Sequence, residues 1–362
     1  MLTPAHGGPD ALGVPLHDLS TNANACGPYP AALRALQAVD ARHYPDPTYT
    51  ALAVQLAAWH GVAPERVVLA ASASEFIQRI SVAVALHAGP AARVWLPAPA
   101  YGDYARAAHA AALVSTDDPG TAALLWACEP GSPLGQPDTG LAARVAARRA
   151  GQTLVLDQAY EPLRLSGAAS LDAPALDRVW RLVTPNKALG LTGVRAAYAV
   201  APPGADPALL ARVRGLAPSW PIGAHGVALL HAWASAPCHD WLAACRAQLR
   251  ACKRAQVAAL RAAGWQVEPG DANFFVAAHA NLASAGAGFD LQTWLAALRV
   301  RGIKLRDCAS FGLPGRVRIA VASPQAWRAL WAALSDTGPS SPAGVVSGAP
   351  NGPGSTTPAV RP

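Results

Sequence analysis

Lysine is nearly missing from this 362-residue chain: of its 29 Lys and Arg residues, only Lys187, Lys253 and Lys304 are lysine. Arginine therefore carries the ordinary basic charge, and a lysine stands out. A desolvated amine condenses with a carbonyl, whereas a guanidinium does not at neutral pH. Charge of either sign is scarce, at 14% of residues against 52% hydrophobic. That balance excludes a disordered chain and suits a compact enzyme with sizeable cores. The net charge is +7, but the arginines are scattered and no run of five or six basic residues occurs. Nucleic acid is therefore not the expected partner; a basic enzyme that handles anionic substrates is. No apolar run of about 18 residues offers a membrane span. The opening residues, Met1 to Gly8, have neither a basic nor an apolar signal-peptide region, and no two of the six cysteines form a Cys-x-x-Cys pair. The expectation is a cytoplasmic protein with reduced thiols and no zinc site.

What is present is an alternation of strands and helices. Strands are expected at Val67 to Ala70, Ala92 to Leu96, Ala122 to Trp126, Thr153 to Asp157, Val179 to Val183 and Ala196 to Val200. Helices are expected at 30–39, 50–61, from Phe76, at 103–111 and at 141–150. This pattern predicts an α/β fold, a mostly parallel sheet with helices on both faces. From Ser219 the pattern changes to a long Ala-rich helical stretch over 223–263, short strands and a last helix at 324–334, which predicts a smaller α+β domain. The division is an N-terminal arm at 1–35, a large domain at 36–218, a small domain at 219–336 and a Gly/Pro/Ser/Thr tail at 337–362. The tail is expected to be disordered, because it buries too little to offset its ordering entropy.

In parallel sheets ligands bind beyond the carboxyl ends of the strands. Ser72, Tyr101, Ser132, Asp157 and Lys187 all fall at or just past predicted strand ends. Pyridoxal 5'-phosphate needs a lysine amine, an acid at its ring nitrogen, an aromatic face, donors for its phosphate and a donor to its phenolic oxygen. Lys187 supplies the amine and Asp157 the acid. Tyr101 supplies the face. Amides of Ala73 and Ser74, with Thr184 and Arg195, supply the phosphate donors, and Tyr160 is within reach of the phenolic oxygen. Taken singly, Asp157 could instead cap a helix, Tyr101 lie in the core and Arg195 be a surface charge. His6-Gly7-Gly8 reads, on physics alone, as a flexible terminus more readily than as an anion site.

The ordered set of Ala71 to Glu75, Pro99-Ala100-Tyr101, Cys128 to Gly135, Asp157-Gln158-Ala159-Tyr160 and Thr184 to Arg195 resembles the fold-type I pyridoxal-phosphate enzymes of the aminotransferase class I/II superfamily. The resemblance covers roughly residues 5 to 335. It implies a homodimer in which Tyr44 reaches the partner's coenzyme phosphate. Tyr44-Pro45-Asp46-Pro47 is similar both to histidinol-phosphate aminotransferases and to L-threonine-O-3-phosphate decarboxylases of cobalamin synthesis. His6-Gly7-Gly8, the frame from Asp18 to Asn24, and Arg306 to Pro314 look more like the decarboxylase. That resemblance implies a small anionic amino-acid phosphate or amine phosphate as substrate, held by His6, Gly7, Asn24, Arg306 and Arg318. Decarboxylation is the preferred reading, transamination the alternative, and a non-catalytic protein of the same fold a third. The chain departs from the superfamily pattern at Ser132, which replaces an asparagine. It also departs at Ser72, which replaces a glycine, at Ala25, which replaces a proline, and at Asn186, which replaces a small hydroxyl residue.

Overall fold

The computed structural model describes residues 6–279 and 290–337. Of the tail expected at 337–362, Thr337 is the last residue of the helix Pro324–Thr337; residues 338–362 and the first five residues of the arm lie outside the described residues.

The arm is not merely extended. Its strand β1 (His17–Asp18) pairs in parallel with a strand near the other end of the chain, Ile303–Lys304. The large sheet has seven strands: β2 (Val67–Ala70), β3 (Arg93–Trp95), β4 (Val114–Ser115), β5 (Leu124–Cys128), β6 (Thr153–Asp157), β7 (Trp180–Val183) and β8 (Ala197–Val200). Their order is β2-β8-β7-β6-β5-β3-β4. The strands from β4 to β7 run parallel, and β8 is antiparallel to both β7 and β2. Every residue of β5 and β6 is buried, as expected of central strands covered on both faces. Helices Ala73–Ala88 and Gly102–Ala110 pack on one face, where Phe76, Tyr104, Trp126 and Trp180 share a core. Leu125, Leu141, Leu154 and Leu156 form a separate core that includes the helix Leu141–Ala147.

The small sheet is antiparallel, in the order β12-β13-β10-β9. Its strands are β9 (Gln266–Val267), β10 (Phe274–Ala278), β12 (Arg306–Asp307) and β13 (Arg316–Ala320), while β11 (Ile303–Lys304) belongs to the arm's sheet. The helical stretch expected over 223–263 is two helices, Ala224–Trp233 and Ala236–Ala262. Pro237 explains the break: it lacks an N–H, its ring clashes with the preceding turn, and it suits only the first turn of a helix. Ser235 is extended there, and its hydroxyl donates to the Ala232 carbonyl at 2.7 Å.

Candidate active site

The carboxyl ends of β6 and β7 carry the two residues that matter first. Asp157 ends β6 and is 4% exposed. Its Oδ2 accepts from the Tyr104 hydroxyl at 2.8 Å and its Oδ1 from the Ala159 amide at 2.9 Å. Burial raises the carboxyl above its ordinary value, while those two hydrogen bonds and the charge of Lys187 oppose the rise. Lys187 is half-buried in the turn after β7, with Nζ 5.2 Å from the Tyr160 ring centre. The lysine therefore lies within electrostatic range of the acid, on the same edge of the sheet. A cavity of about 290 Å³ opens beside them on the Ser132 side; Tyr104, Cys128, Ser132, Pro99 and Ala100 are among its walls, and Lys187 is not.

Where β2 ends, the chain enters a 16-residue helix, Ala73–Ala88. Ser72 caps it by accepting the Glu75 amide at 3.1 Å, and the Glu75 carboxylate accepts the Ala71 amide at 3.1 Å. This reciprocal cap accounts for a serine where the superfamily has glycine. It leaves the amides of Ala73 and Ser74 without an acceptor among the described residues. Two free N–H groups at a helix start form an anion cradle. The Ser74 hydroxyl lies 3.4 Å from that of Tyr101, which donates to Asp103 at 2.7 Å. Tyr101 is half-buried, and burial raises its phenol well above the ordinary value. Thr184 donates to Asn186 Oδ1 at 3.2 Å, and the same oxygen accepts the Lys187 amide at 2.8 Å. Asn186 thus braces the lysine turn and engages the hydroxyl expected to face a phosphate. Arg195 is exposed and has no ion-pair partner among the described residues.

On the small sheet, antiparallel pairing sets Arg306 opposite Arg318. Both are buried. Arg318 donates to Ser132 Oγ at 3.3 Å and to the Ser20 carbonyl at 3.0 Å, and its guanidinium carbon is 5.3 Å from the Phe274 ring and 5.5 Å from the Phe311 ring. Arg306 donates to Ser310 Oγ at 2.6 Å, and its guanidinium carbon lies 4.8 Å from the Phe311 ring. Burial and the neighbouring Arg318 charge lower its pKa. Among the described residues no carboxylate pairs with either arginine.

The arm reaches both regions. Ser20 Oγ accepts the Gly8 amide at 2.8 Å, and Lys304 Nζ donates to the Gly8 carbonyl at 2.6 Å. A Cβ on Gly7 would lie 2.4 Å from the Ser20 carbonyl oxygen, so only glycine fits. His6 is exposed. Asn24, expected to face substrate, is turned to the backbone: Nδ2 donates to the Ala188 carbonyl at 2.9 Å and Oδ1 accepts the Cys26 amide at 3.0 Å. Its burial beside the lysine turn makes it a brace. Tyr160 is buried against Phe274, and its hydroxyl accepts from Asn22 at 3.2 Å. Tyr44 lies away from this group, 77% exposed and stacked on Trp220 at 4.4 Å.

Tyr104, Asn22 and the buried pair Glu129–Arg164 at 2.9 Å were not anticipated from sequence. Tyr104 had a signal: it stands three residues after Tyr101 at a helix start, a spacing that puts both on one face. Asn22 and Glu129 had none, because their partners are 138 and 35 residues away.

A family model described as aminotransferase class I and II matches residues 14–117 and 110–330. The histidinol-phosphate aminotransferase of Jannaschia sp. is 30% identical over 331 residues, 85% of this chain and 87% of that protein. The crystal structure of histidinol-phosphate aminotransferase from Sinorhizobium meliloti in complex with pyridoxal-5'-phosphate superposes with a TM-score of 0.74 at 22% identity, covering 92% of this chain and 94% of that one. L-threonine-O-3-phosphate decarboxylase from Porphyromonas gingivalis gives a TM-score of 0.72 at 20% identity, covering 87% and 97%. The two structures carry the likeness of fold: a mostly parallel sheet with helices on both faces, beside a smaller antiparallel sheet.

Proposed function

The chain belongs to the aminotransferase class I and II family, and on that premise we propose a pyridoxal-phosphate enzyme that decarboxylates a small amino-acid phosphate of the L-threonine O-3-phosphate type. The residues present fit the coenzyme. Two free helix amides, at Ala73 and Ser74, suit its phosphate. A buried carboxylate, Asp157, suits a protonated ring nitrogen, and a lone lysine in range of that carboxylate suits its aldehyde. Tyr101 would cover the ring, Ser132 and Tyr160 would face the phenolic oxygen, and Thr184, Arg195 and the partner subunit's Tyr44 would complete the phosphate site of a homodimer. When bound, the coenzyme acts as an electron sink for a bond broken next to the substrate nitrogen.

The observation that carries the substrate class is the buried pair Arg306 and Arg318, which no carboxylate among the described residues matches. A buried cation stays costly until an anion joins it. Arg318 lies next to Ser132, at the coenzyme end, and suits a carboxylate through its two-pronged fork. Arg306 lies one strand further out and suits a phosphate, with Gly7 and Gly8 of the arm beside the Ser20 that Arg318 also holds; His6, next in the arm, would complete that phosphate site. When the carboxylate leaves as carbon dioxide, Lys187 Nζ would deliver the proton that takes its place on the reacting carbon. The aromatic rings of Phe274 and Phe311 exclude water from the arginine pair.

A second reading is transamination of a phosphorylated amine, supported by histidinol-phosphate aminotransferases that are 30% identical to this chain. The two readings part on one assay. Incubation with L-threonine O-3-phosphate should release carbon dioxide and aminopropanol phosphate. Turnover of histidinol phosphate with 2-oxoglutarate, and no carbon dioxide from the first substrate, would replace decarboxylation by transamination.

A further inference from the structure

We propose that Tyr104 is a positioning residue: its hydroxyl holds one oxygen of the Asp157 carboxylate and so aims the remaining lone pairs at the coenzyme's ring nitrogen. The inference rests on the coenzyme reading above and concerns a contact that reading does not use.

Tyr104 has no solvent exposure. Its ring plane is set by two neighbours, Trp126 stacked at 4.5 Å and 12°, and Tyr101 edge-on at 5.7 Å and 88°. With the ring clamped, the hydroxyl has one place to be, 2.8 Å from Asp157 Oδ2. The direction of that hydrogen bond follows from counting hydrogens. The Cys128 thiol, which also borders the phenol, donates its hydrogen to the Pro130 carbonyl at 3.4 Å. The single phenolic hydrogen is therefore given to Asp157. Burial raises the phenol well above its ordinary value, so it stays a donor.

Asp157 then has one neutral donor on each oxygen, Tyr104 on Oδ2 and the Ala159 amide on Oδ1. The other groups that face it are Lys187, whose charge favours the carboxylate, and Asp103, Cys128 and Tyr101, whose anionic forms oppose it. A carboxylate oxygen accepts more than one hydrogen bond, so the two donors orient the group without saturating it. A core tyrosine needs only shape; this one spends its only hydrogen on the acid.

The test reads the acid itself. In the coenzyme-free protein with carbon-13-labelled aspartate, the Asp157 carboxyl signal is assigned by its loss in Asp157→Asn and titrated by NMR. Tyr104→Phe should raise the midpoint by about one pH unit, since hydrogen bonding to the charged form favours it, and weaken pyridoxal-phosphate affinity roughly tenfold. Coincident titrations in wild type and Tyr104→Phe would overturn the inference, whatever happens to the melting temperature. Should Tyr104→Phe fail to fold, difluorotyrosine at position 104, a stronger donor, must lower the midpoint; no change would overturn the inference equally. A titration shift in a wild type that binds no pyridoxal phosphate would sink the proposed function and still support the coupling of Tyr104 to Asp157.

Discussion

The two ends of the site bury charge in opposite ways. At Asp157 the charge is matched before any ligand arrives: each oxygen has a fixed donor and a cation stands in range. At Arg306 and Arg318 two cations face one another across a strand pair, with hydroxyls, a carbonyl and aromatic rings but, among the described residues, no carboxylate. A matched charge is rigid and specifies one geometry. An unmatched pair stores a cost of a few kcal/mol that an anion removes on binding. In the proposed function the first end would hold something that stays, the coenzyme, and the second something that comes and goes, the substrate. Variants at the two ends should therefore respond differently.

The largest effect is expected at the matched end. Lys187→Ala should lower turnover by roughly 10³-fold or more, because in the proposed function the amine would both carry the coenzyme and deliver the proton. Its folding should change little, since Lys187 Nζ makes no ion pair among the described residues. Purified wild type should absorb near the edge of the visible range and Lys187→Ala should not. Retained turnover, measured as carbon dioxide release, would remove Lys187 from the chemistry and end the comparison.

Next in size is Arg318→Met at the unmatched end. Losing a charge-assisted contact to the substrate should lower kcat/KM roughly 10²-fold. The same change takes an unpaired cation out of a buried site, so the coenzyme-free protein should become more stable, by about 1 kcal/mol in urea unfolding. Asp157→Asn should show no such gain, because its partners are already in place. If Arg318→Met destabilises the protein instead, its bonds to Ser132 and the Ser20 carbonyl outweigh the missing counter-ion, and the contrast between the two ends fails.

Much of the matched end was legible in the amino-acid order, and little of the other was. Parallel strands are buried on both faces, so β5 and β6 read as continuous apolar runs, and a run that stops at Asp157 or Thr184 announces the edge where ligands bind. The Ser-x-x-Glu cap at Ser72 and Glu75 is equally local. Contacts made by topology carry no such mark. The pairing of β1 with β11, the donation of Tyr104 to Asp157 and the link from Asn22 to Tyr160 each join residues far apart in the chain. Arg306 and Arg318 were placed together only through resemblance; strand register makes them neighbours. The backbone partners of Asn24 carry no mark in the amino-acid order either, since an asparagine facing substrate and one bracing a turn look alike until their partners are known. The break before Pro237 could have been read, since proline rarely continues a helix.

The smallest effect tests how far neutral groups match a buried charge elsewhere in the chain. Lys253 donates to the carbonyls of Gly270 at 2.6 Å and Ala272 at 2.7 Å. Burial lowers its pKa from 10.5 to about 8, against the opposing charge of Asp271. The folded value lies below the unfolded one, so between pH 8 and 10.5 the unfolded chain binds more protons. This contribution to stability is complete above pH 10.5 and is lost as pH falls towards 8. Unfolding by urea at the two pH values should show wild type gaining on Lys253→Met as pH rises, by about 1 kcal/mol after solvent screening. The loop that Lys253 holds also bonds Gly135, since the Asp271 amide donates to that carbonyl at 2.6 Å, so the gain should reach the segment carrying Ser132. Equal pH slopes in the two proteins would mean that two carbonyls match a buried ammonium fully. Counter-ions would then not be needed for matching, and the missing carboxylate at Arg306 and Arg318 would no longer point to an anionic ligand.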